Sequence, residues 1–129
     1  MELFERLYDT CIHSFGEEQV QKLAENQLEI SIVNDDGEAM FPVYVGFHDK
    51  NDMELTAILF QVPEEDADAF MAQCNNLNTQ YPWVKFYLES GYFCAGLDLL
   101  LYTGDVADVM SMLTALLQVI SANLPGLLG

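Results

Sequence analysis

Few residues of this sequence combine the types and the spacing that catalysis requires. Cys11 and His13 could act as a nucleophile and its base, but two positions apart on a helix their side chains point in different directions. A Cys-His pair would need a partner from elsewhere, so the simpler interpretation is a buried thiol and a surface histidine. Glycine-rich phosphate loops, paired histidines at zinc-site spacing and nucleophile elbows are all missing from the sequence. We therefore expect no catalytic, cofactor-binding or metal-binding residues and no enzymatic activity.

Two acidic positions could instead bind a cation or transfer a proton. Residues 49–54 have the acid density of a calcium loop, but Met53 falls at a ligand position and the turn glycine is missing, which favours a solvated turn. Asp98 interrupts an apolar strand and lies diagonal to Lys85 in the hairpin described below. A cross-strand ion pair between these two residues explains Asp98 without a catalytic role.

Tyrosine supplies the candidate recognition residues. A tyrosine side chain offers a large contact area with a polar tip, which suits it to binding surfaces. The strand pattern could place four tyrosines on the outer face of a sheet: Tyr44, Tyr87, Tyr92 and Tyr102. Half-exposed tyrosines without any ligand are the alternative interpretation.

The elements that must position these tyrosines are organised around residues 75–102. Ser90 and Gly91 suit a two-residue hairpin loop. The resulting register pairs Glu89 with Tyr92, Leu88 with Phe93, Tyr87 with Cys94, Phe86 with Ala95, Lys85 with Gly96, Val84 with Leu97 and Trp83 with Asp98. This register puts six apolar residues on one face and polar and aromatic residues on the other, whereas a slip by one residue would mix the two sets.

The rest of the chain predicts helices and strands around this hairpin. Apolar spacing indicates a helix over residues 2–14, and alternation indicates strands near residues 28–32, 41–47 and 53–62. The polar residues 17–26 could add one or two helical turns. Pro63 opens a second helix, and a last helix begins after the capping residues 103–105 and ends at Pro125. We expect one domain, residues 1–129, with the order α-βββ-α-ββ-α.

Composition limits the classes of partner. The chain has 129 residues, of which 51% are hydrophobic, so it can form one core. A net charge of −17 repels nucleic acids and anionic membranes and favours basic proteins or peptides. The acidic amino terminus is unlike a secretory signal, and three widely spaced cysteines are typical of reduced thiols, so we expect a cytoplasmic protein.

The last helix has an unusually wide apolar surface, because no charged residue occurs between Val109 and Gly129. The segment is short and too polar for a typical membrane span, which leaves burial within the domain or cover by another subunit. We expect the stripe of Val106, Met110, Leu113, Leu117 and Ile120 to face the core. The flank formed by Val109, Met112 and Leu116 is then the candidate interface of a homodimer.

Several of these residues also carry a family resemblance. The pair Leu77-Asn78, the segment 85–91 (KFYLESG), the triplet 97–99 (LDL) and the long closing helix together resemble the YbjN family. That family has a fold similar to type III secretion chaperones. The resemblance implies a dimeric α+β interaction module without catalytic residues, which acts as a regulator or chaperone.

We therefore predict an antiparallel five-stranded sheet covered by helices, which works by binding. The expected function is a non-catalytic protein-interaction or chaperone-like regulatory module with an unknown protein or peptide partner, no cofactor, and neither nucleic acid nor membrane as a partner. The alternative is a small-ligand sensor with a pocket between the sheet and the C-terminal helix.

Overall fold

A computed structural model describes residues 2–48, 52–100 and 105–129. The helices are α1 (Glu2–Phe15), α2 (Ala67–Gln80) and α3 (Val106–Leu128). The strands are β1 (Val20–Ala24), β2 (Gln27–Val33), β3 (Ala39–Phe47), β4 (Asp52–Gln61), β5 (Lys85–Glu89) and β6 (Tyr92–Leu100). Short 3-10 turns, Glu17–Gln19 and Glu64–Asp66, precede β1 and α2.

The described residues form one antiparallel sheet with six strands, in the order β1-β2-β3-β4-β6-β5. The prediction of five strands was wrong, because residues 20–24 form an edge strand and add no helical turn. Register and contacts place Val20 and Lys22 on the side of β1 that faces α1, and Lys22 donates a 2.8 Å hydrogen bond to Glu5. A lysine at an inward position removes the apolar alternation by which a strand is recognised.

The predicted hairpin register is confirmed for the five pairs from Glu89–Tyr92 to Lys85–Gly96. Ser90 and Gly91 both have positive φ, 52° and 84°, as a type I′ turn requires. The two outermost predicted pairs, those of Val84 and Trp83, lie beyond β5. The chain turns there instead, and the Val84 N–H donates a hydrogen bond to the Tyr81 carbonyl.

The helices pack on one face of the sheet, and the core lies between them. Phe4 of α1 contacts Phe47 of β3 with ring centroids 5.8 Å apart, and Phe70 of α2 contacts Phe93 of β6 at 5.9 Å. The strand residues on this inner face are buried, including Leu55 and Phe86. The alternate strand residues point to the opposite side, which we call the outer face.

The structure corrects the faces of α3. Its buried residues are Val109, Leu113, Leu116, Val119, Ile120 and Leu124. Val109 and Leu116 are fully buried within the chain. The prediction that they form a dimer interface was therefore wrong, because neither side chain is available to a partner. Met112, like three of the expected core residues, is half-buried. Because apolar residues cover most of the circumference of α3, the sequence pattern did not define which stripe faces the sheet.

Two further properties of α3 concern its end and its hydropathy. The prediction that this helix ends at Pro125 was wrong, because it continues to Leu128. Pro125 is exposed and lies in the last turn, where its main cost is one backbone hydrogen bond. Among the described residues, α3 alone is long and apolar enough to cross a membrane, with a mean hydropathy of 1.4. A helix that supplies six residues to the core of its own domain, as α3 does, meets the same criteria of length and composition.

Asn78 of α2 covers part of the β5 edge of the sheet. Its Oδ1 accepts a 2.6 Å hydrogen bond from the Phe86 N–H, and its Nδ2 donates a 2.9 Å bond to the Phe86 carbonyl. The amide thus meets the strand as another strand would, with one donor and one acceptor. Leu77 beside it is buried in the core. The Leu77-Asn78 pair therefore fastens α2 to β5 and protects an exposed strand edge.

Candidate recognition surface

The outer face of the sheet is the candidate site. It contains three of the four predicted tyrosines: Tyr44 on β3, Tyr87 on β5 and Tyr92 on β6. Tyr44 and Tyr87 are half-buried, and Tyr92 retains 41% of its surface exposed. Tyr102 lies outside the described residues. The structure thus brings together Tyr87 and Tyr92 on adjacent strands, with Tyr44 on the far side of β4.

A shallow apolar cleft of about 460 Å³ joins Tyr44 and Tyr92 across β4. Its floor and walls are formed by Met40, Pro42, Tyr44, Ile58, Leu59, Phe60 and Tyr92. Met40 is 47% exposed, so the cleft has an accessible apolar margin. The sequence interpretation did not identify Ile58 or Met40 as site residues. Strand alternation could have identified both residues. Met40 lies four residues before Tyr44 on β3, and Ile58 is paired with Cys94, so both lie on the outer face.

A chain of polar contacts crosses the same face beside the cleft. Thr56 lies beside Tyr87, and its hydroxyl donates a 2.9 Å hydrogen bond to Glu54 Oε1. His48 Nε2 lies 3.0 Å from Glu54 Oε2. These hydrogen bonds hold the side chains of Thr56, Glu54 and His48 in place without a ligand.

Burial and neighbours shift the pKa values of these groups. Burial, followed by the nearby Cys94, raises the pKa of Tyr87 to about 12. Burial also raises the pKa of Tyr44, assisted by its hydrogen bond with Glu29. The hydrogen bond with Glu54 raises the pKa of the exposed His48. Both tyrosines are therefore neutral at physiological pH and serve as contact groups.

The outer face is acidic. Strand register assigns five acidic residues to it: Glu29, Asp52, Glu54, Glu89 and Asp98. Glu54 and Asp98 are directly opposite each other on β4 and β6, where like charges repel. The expected ion pair between Asp98 and Lys85 is not formed. The ion pairs of the described residues include Lys22–Glu5 and His48–Glu54.

The cysteines offer no reactive thiol in the described structure. Cys11, Cys74 and Cys94 are free and buried, as predicted. Burial raises the pKa of Cys11 and that of Cys94 to about 11, so both remain thiols at neutral pH. His13 is exposed while Cys11 faces the core, which separates the two residues as expected.

The geometry likewise provides no metal site in the described ranges, where no group of three or more His, Cys, Asp or Glu residues could hold an ion. Residues 49–51 of the candidate calcium loop lie outside these ranges. The face can therefore supply apolar contact, fixed hydroxyl groups and negative charge, which are means of binding.

A second concave surface lies between the sheet and α3. This groove of about 660 Å³ is lined mainly by apolar side chains, among them Ile32, Met40, Leu117, Leu124 and Leu128. A shallower depression of about 490 Å³ continues from it towards Phe15 and Met110 and shares Leu117 and Ser121. The groove occupies the position that the alternative sensor interpretation requires.

Comparison with solved structures identifies related folds. A chain of the "Structure of the HopA1-SchA Chaperone-Effector Complex" aligns with a TM-score of 0.60 and 14% identity, over 93% of this chain and 91% of that one. A chain of the crystal structure of the Yersinia pestis type III secretion chaperone SycH in complex with a stable fragment of YscM2 aligns with a TM-score of 0.55 and 12% identity, over 92% and 98%. At such low identity the likeness concerns the fold, which is the α+β fold predicted from the sequence.

Comparison with curated proteins gives no match. The model of the YbjN family, described as "Putative bacterial sensory transduction regulator", matches residues 20–128. The matched segment includes the whole sheet, α2, and α3. The chain therefore belongs to the YbjN family.

Proposed function

We propose that this protein is a non-catalytic, chaperone-like interaction module that holds a polypeptide partner on its outer sheet face. The observation that carries the proposal is the tyrosine-lined cleft on a sheet face that the helices leave open. The apolar and aromatic side chains there are partly exposed in the isolated chain, and such surfaces are typical of contact sites. The solved structures of similar fold are complexes of chaperones with effector or partner proteins, which supports a polypeptide as the ligand.

The test is capture that depends on this face. Wild-type protein and the Tyr92→Ser variant are used as baits, and the retained polypeptides are identified by mass spectrometry. Tyr92 is 41% exposed and lies at the cleft, so its replacement should preserve the fold and weaken capture. A Met71→Ser variant serves as the matched control, because Met71 is 52% exposed on α2 and belongs to none of the proposed contact surfaces. Identical capture by wild type and Tyr92→Ser would contradict the proposal.

We also propose that the protein forms a homodimer through α3, as its uncharged sequence suggests. Since Val109 and Leu116 are buried, the contact would use the accessible flank that includes Met110, Leu117 and Leu128. Sedimentation equilibrium at about 100 μM should give a wild-type dimer and a Leu128→Glu monomer, because mass action favours the dimer at such concentrations. A monomeric wild type would refute the dimer.

A cytoplasmic location is a further proposal, supported by three free thiols.

A small-ligand sensor is the second candidate function. The groove of about 660 Å³ between the sheet and α3 supports it, since ligand pockets of this size and apolar lining are common. Native mass spectrometry of the purified protein would reveal a retained small molecule. Its loss in Leu117→Glu but not in Tyr92→Ser would assign the ligand to the groove.

A further inference from the structure

The partner of the outer face can be specified further from the arrangement of apolar and acidic side chains, an inference that rests on the proposed function. Ile58 and Tyr87 are the direct neighbours of Cys94 on the strands to either side. Pro42 extends this row on β3, one step beyond the Val43–Ala57 pair. Four adjacent strands thus present an apolar row about 14 Å long, at about 4.8 Å per strand.

Acidic side chains lie on both sides of this apolar row. Glu54 and Asp98 occupy the same strands as Ile58 and Cys94, four residues away, which corresponds to about 13 Å. Glu89 pairs with Tyr92 at the opposite end of the hairpin. Asp98 and Glu89 are exposed to solvent. A ligand that covers the apolar row and extends along the strands therefore meets carboxylates at each end.

The described cations on this face do not balance those carboxylates. In the described ranges, strand register assigns Lys85 to the outer face and the contact with Glu54 places His48 there, against the five acids named above. His48 is paired with Glu54, and its charge depends on protonation. The whole chain has 4 Lys and Arg residues against 21 Asp and Glu residues. The electrostatic potential far from the protein is therefore negative, as it is at the outer face.

We infer that the outer face binds a polypeptide segment that carries large apolar side chains together with lysine or arginine. The apolar side chains would cover the row of Pro42, Ile58 and Tyr87, and the cations would approach Glu89 and Asp98. A small organic cation is too short to contact both exposed carboxylates, since Glu89 is paired with Tyr92, which lies six residues or about 20 Å from Asp98 along β6. Negative charge on the partner would oppose binding at every point of the face.

Three synthetic peptides of equal length test this inference. One alternates valine or tyrosine with lysine, one replaces lysine by glutamate, and one replaces the apolar residues by serine. Fluorescence anisotropy with the full chain should give the first peptide at least about tenfold tighter binding than either of the others. Its affinity should fall severalfold between about 0.05 M and about 0.3 M salt, because charges exposed at a rim are screened over this range.

Matched charge variants locate the effect. Glu89→Gln with Asp98→Asn should weaken binding of the lysine peptide about fivefold, as expected for two exposed charge contacts. Asp9→Asn with Asp108→Asn changes the net charge equally on exposed positions of the helix layer and should change the affinity less than twofold. Tyr92→Ser should weaken both apolar peptides. Equal effects of the two charge pairs would mean that only net charge matters and would overturn the inference.

The remaining outcomes distinguish a failure of this inference from a failure of the proposed function. If both apolar peptides bind equally well and depend on Tyr92, the basic partner is refuted while polypeptide binding on the outer face stands. If the serine peptide binds as tightly as the lysine peptide, binding is merely electrostatic and the inference fails. If none of the three peptides binds, both the inference and the proposed function are contradicted.

Discussion

Asn78 offers the sharpest test of how this fold is held together at the β5 edge. Its amide satisfies both the N–H and the carbonyl of Phe86, at 2.6 and 2.9 Å. Asn78→Ala removes both hydrogen bonds without adding a group that could clash. Each such bond contributes about 0.5–1.5 kcal/mol net, so the variant should lose about 1–3 kcal/mol of unfolding free energy. Asn78 is half-buried, which lets water replace part of the loss and keeps the expected cost within this range.

Asn75 provides the matched control within the same helix. Its side chain is exposed, and Asn75→Ala gains the same helix propensity as Asn78→Ala. Subtracting the two effects therefore removes the propensity term and leaves the contribution of the edge contact. Urea titrations followed by far-ultraviolet circular dichroism would measure both variants. A difference below about 0.5 kcal/mol would show that water replaces the Asn78 amide fully, against the bond energies used here.

Three further predictions concern the core, the acidic face and the thiols. Leu116→Ala should lose about 2–5 kcal/mol of unfolding free energy, and half-buried Leu117→Ala clearly less; equal losses in urea would contradict the corrected faces of α3. Nuclear magnetic resonance should place the pKa of His48 above its usual 6.5, and Glu54→Gln should lower it. The stability that the His48–Glu54 pair adds is complete below the pKa of His48 in the unfolded chain and disappears as pH rises through the raised pKa in the folded protein. A His48 pKa that does not change in Glu54→Gln would contradict this prediction. Because burial raises its pKa to about 11, Cys94 should react with a disulfide reagent at pH 8 only after unfolding, and rapid labelling of the native protein would disprove this.

The hairpin was predictable because several local signals agree. A two-residue Ser-Gly loop and strict alternation over both strands select the same register, and any slip would bury Lys85 and expose Phe86. The edge strand β1 was not predictable in this way. Its inward residues are Val20 and Lys22, and the lysine is accommodated only because α1 supplies Glu5 and the ring of Tyr8, 4.4 Å away. A contact between distant parts of the chain carries no periodic signal.

The faces of α3 show a different limit. Two apolar stripes are possible on this helix, one through Val109 and Leu116 and one through Met110 and Leu117, and both have helical spacing. Hydrophobicity alone does not show which stripe is buried. Packing against the inner face of the sheet buries the stripe through Val109 and Leu116. For the candidate site, strand parity predicted the shared face of Tyr44, Tyr87 and Tyr92. The cleft between Tyr44 and Tyr92 depends on the strand order, in which β6 lies next to β4.

Charge separates the two binding hypotheses more sharply than shape does. The groove beside α3 is lined by apolar side chains, with Asp35 as its one charged lining residue in the described structure, so binding there should depend little on salt. The outer face has five acids around its apolar row, so a basic partner bound there must lose affinity as salt rises. A salt-sensitive interaction that Tyr92→Ser weakens therefore belongs to the outer face. A salt-insensitive one that Leu117→Glu abolishes belongs to the groove, and would favour the sensor over the chaperone-like module.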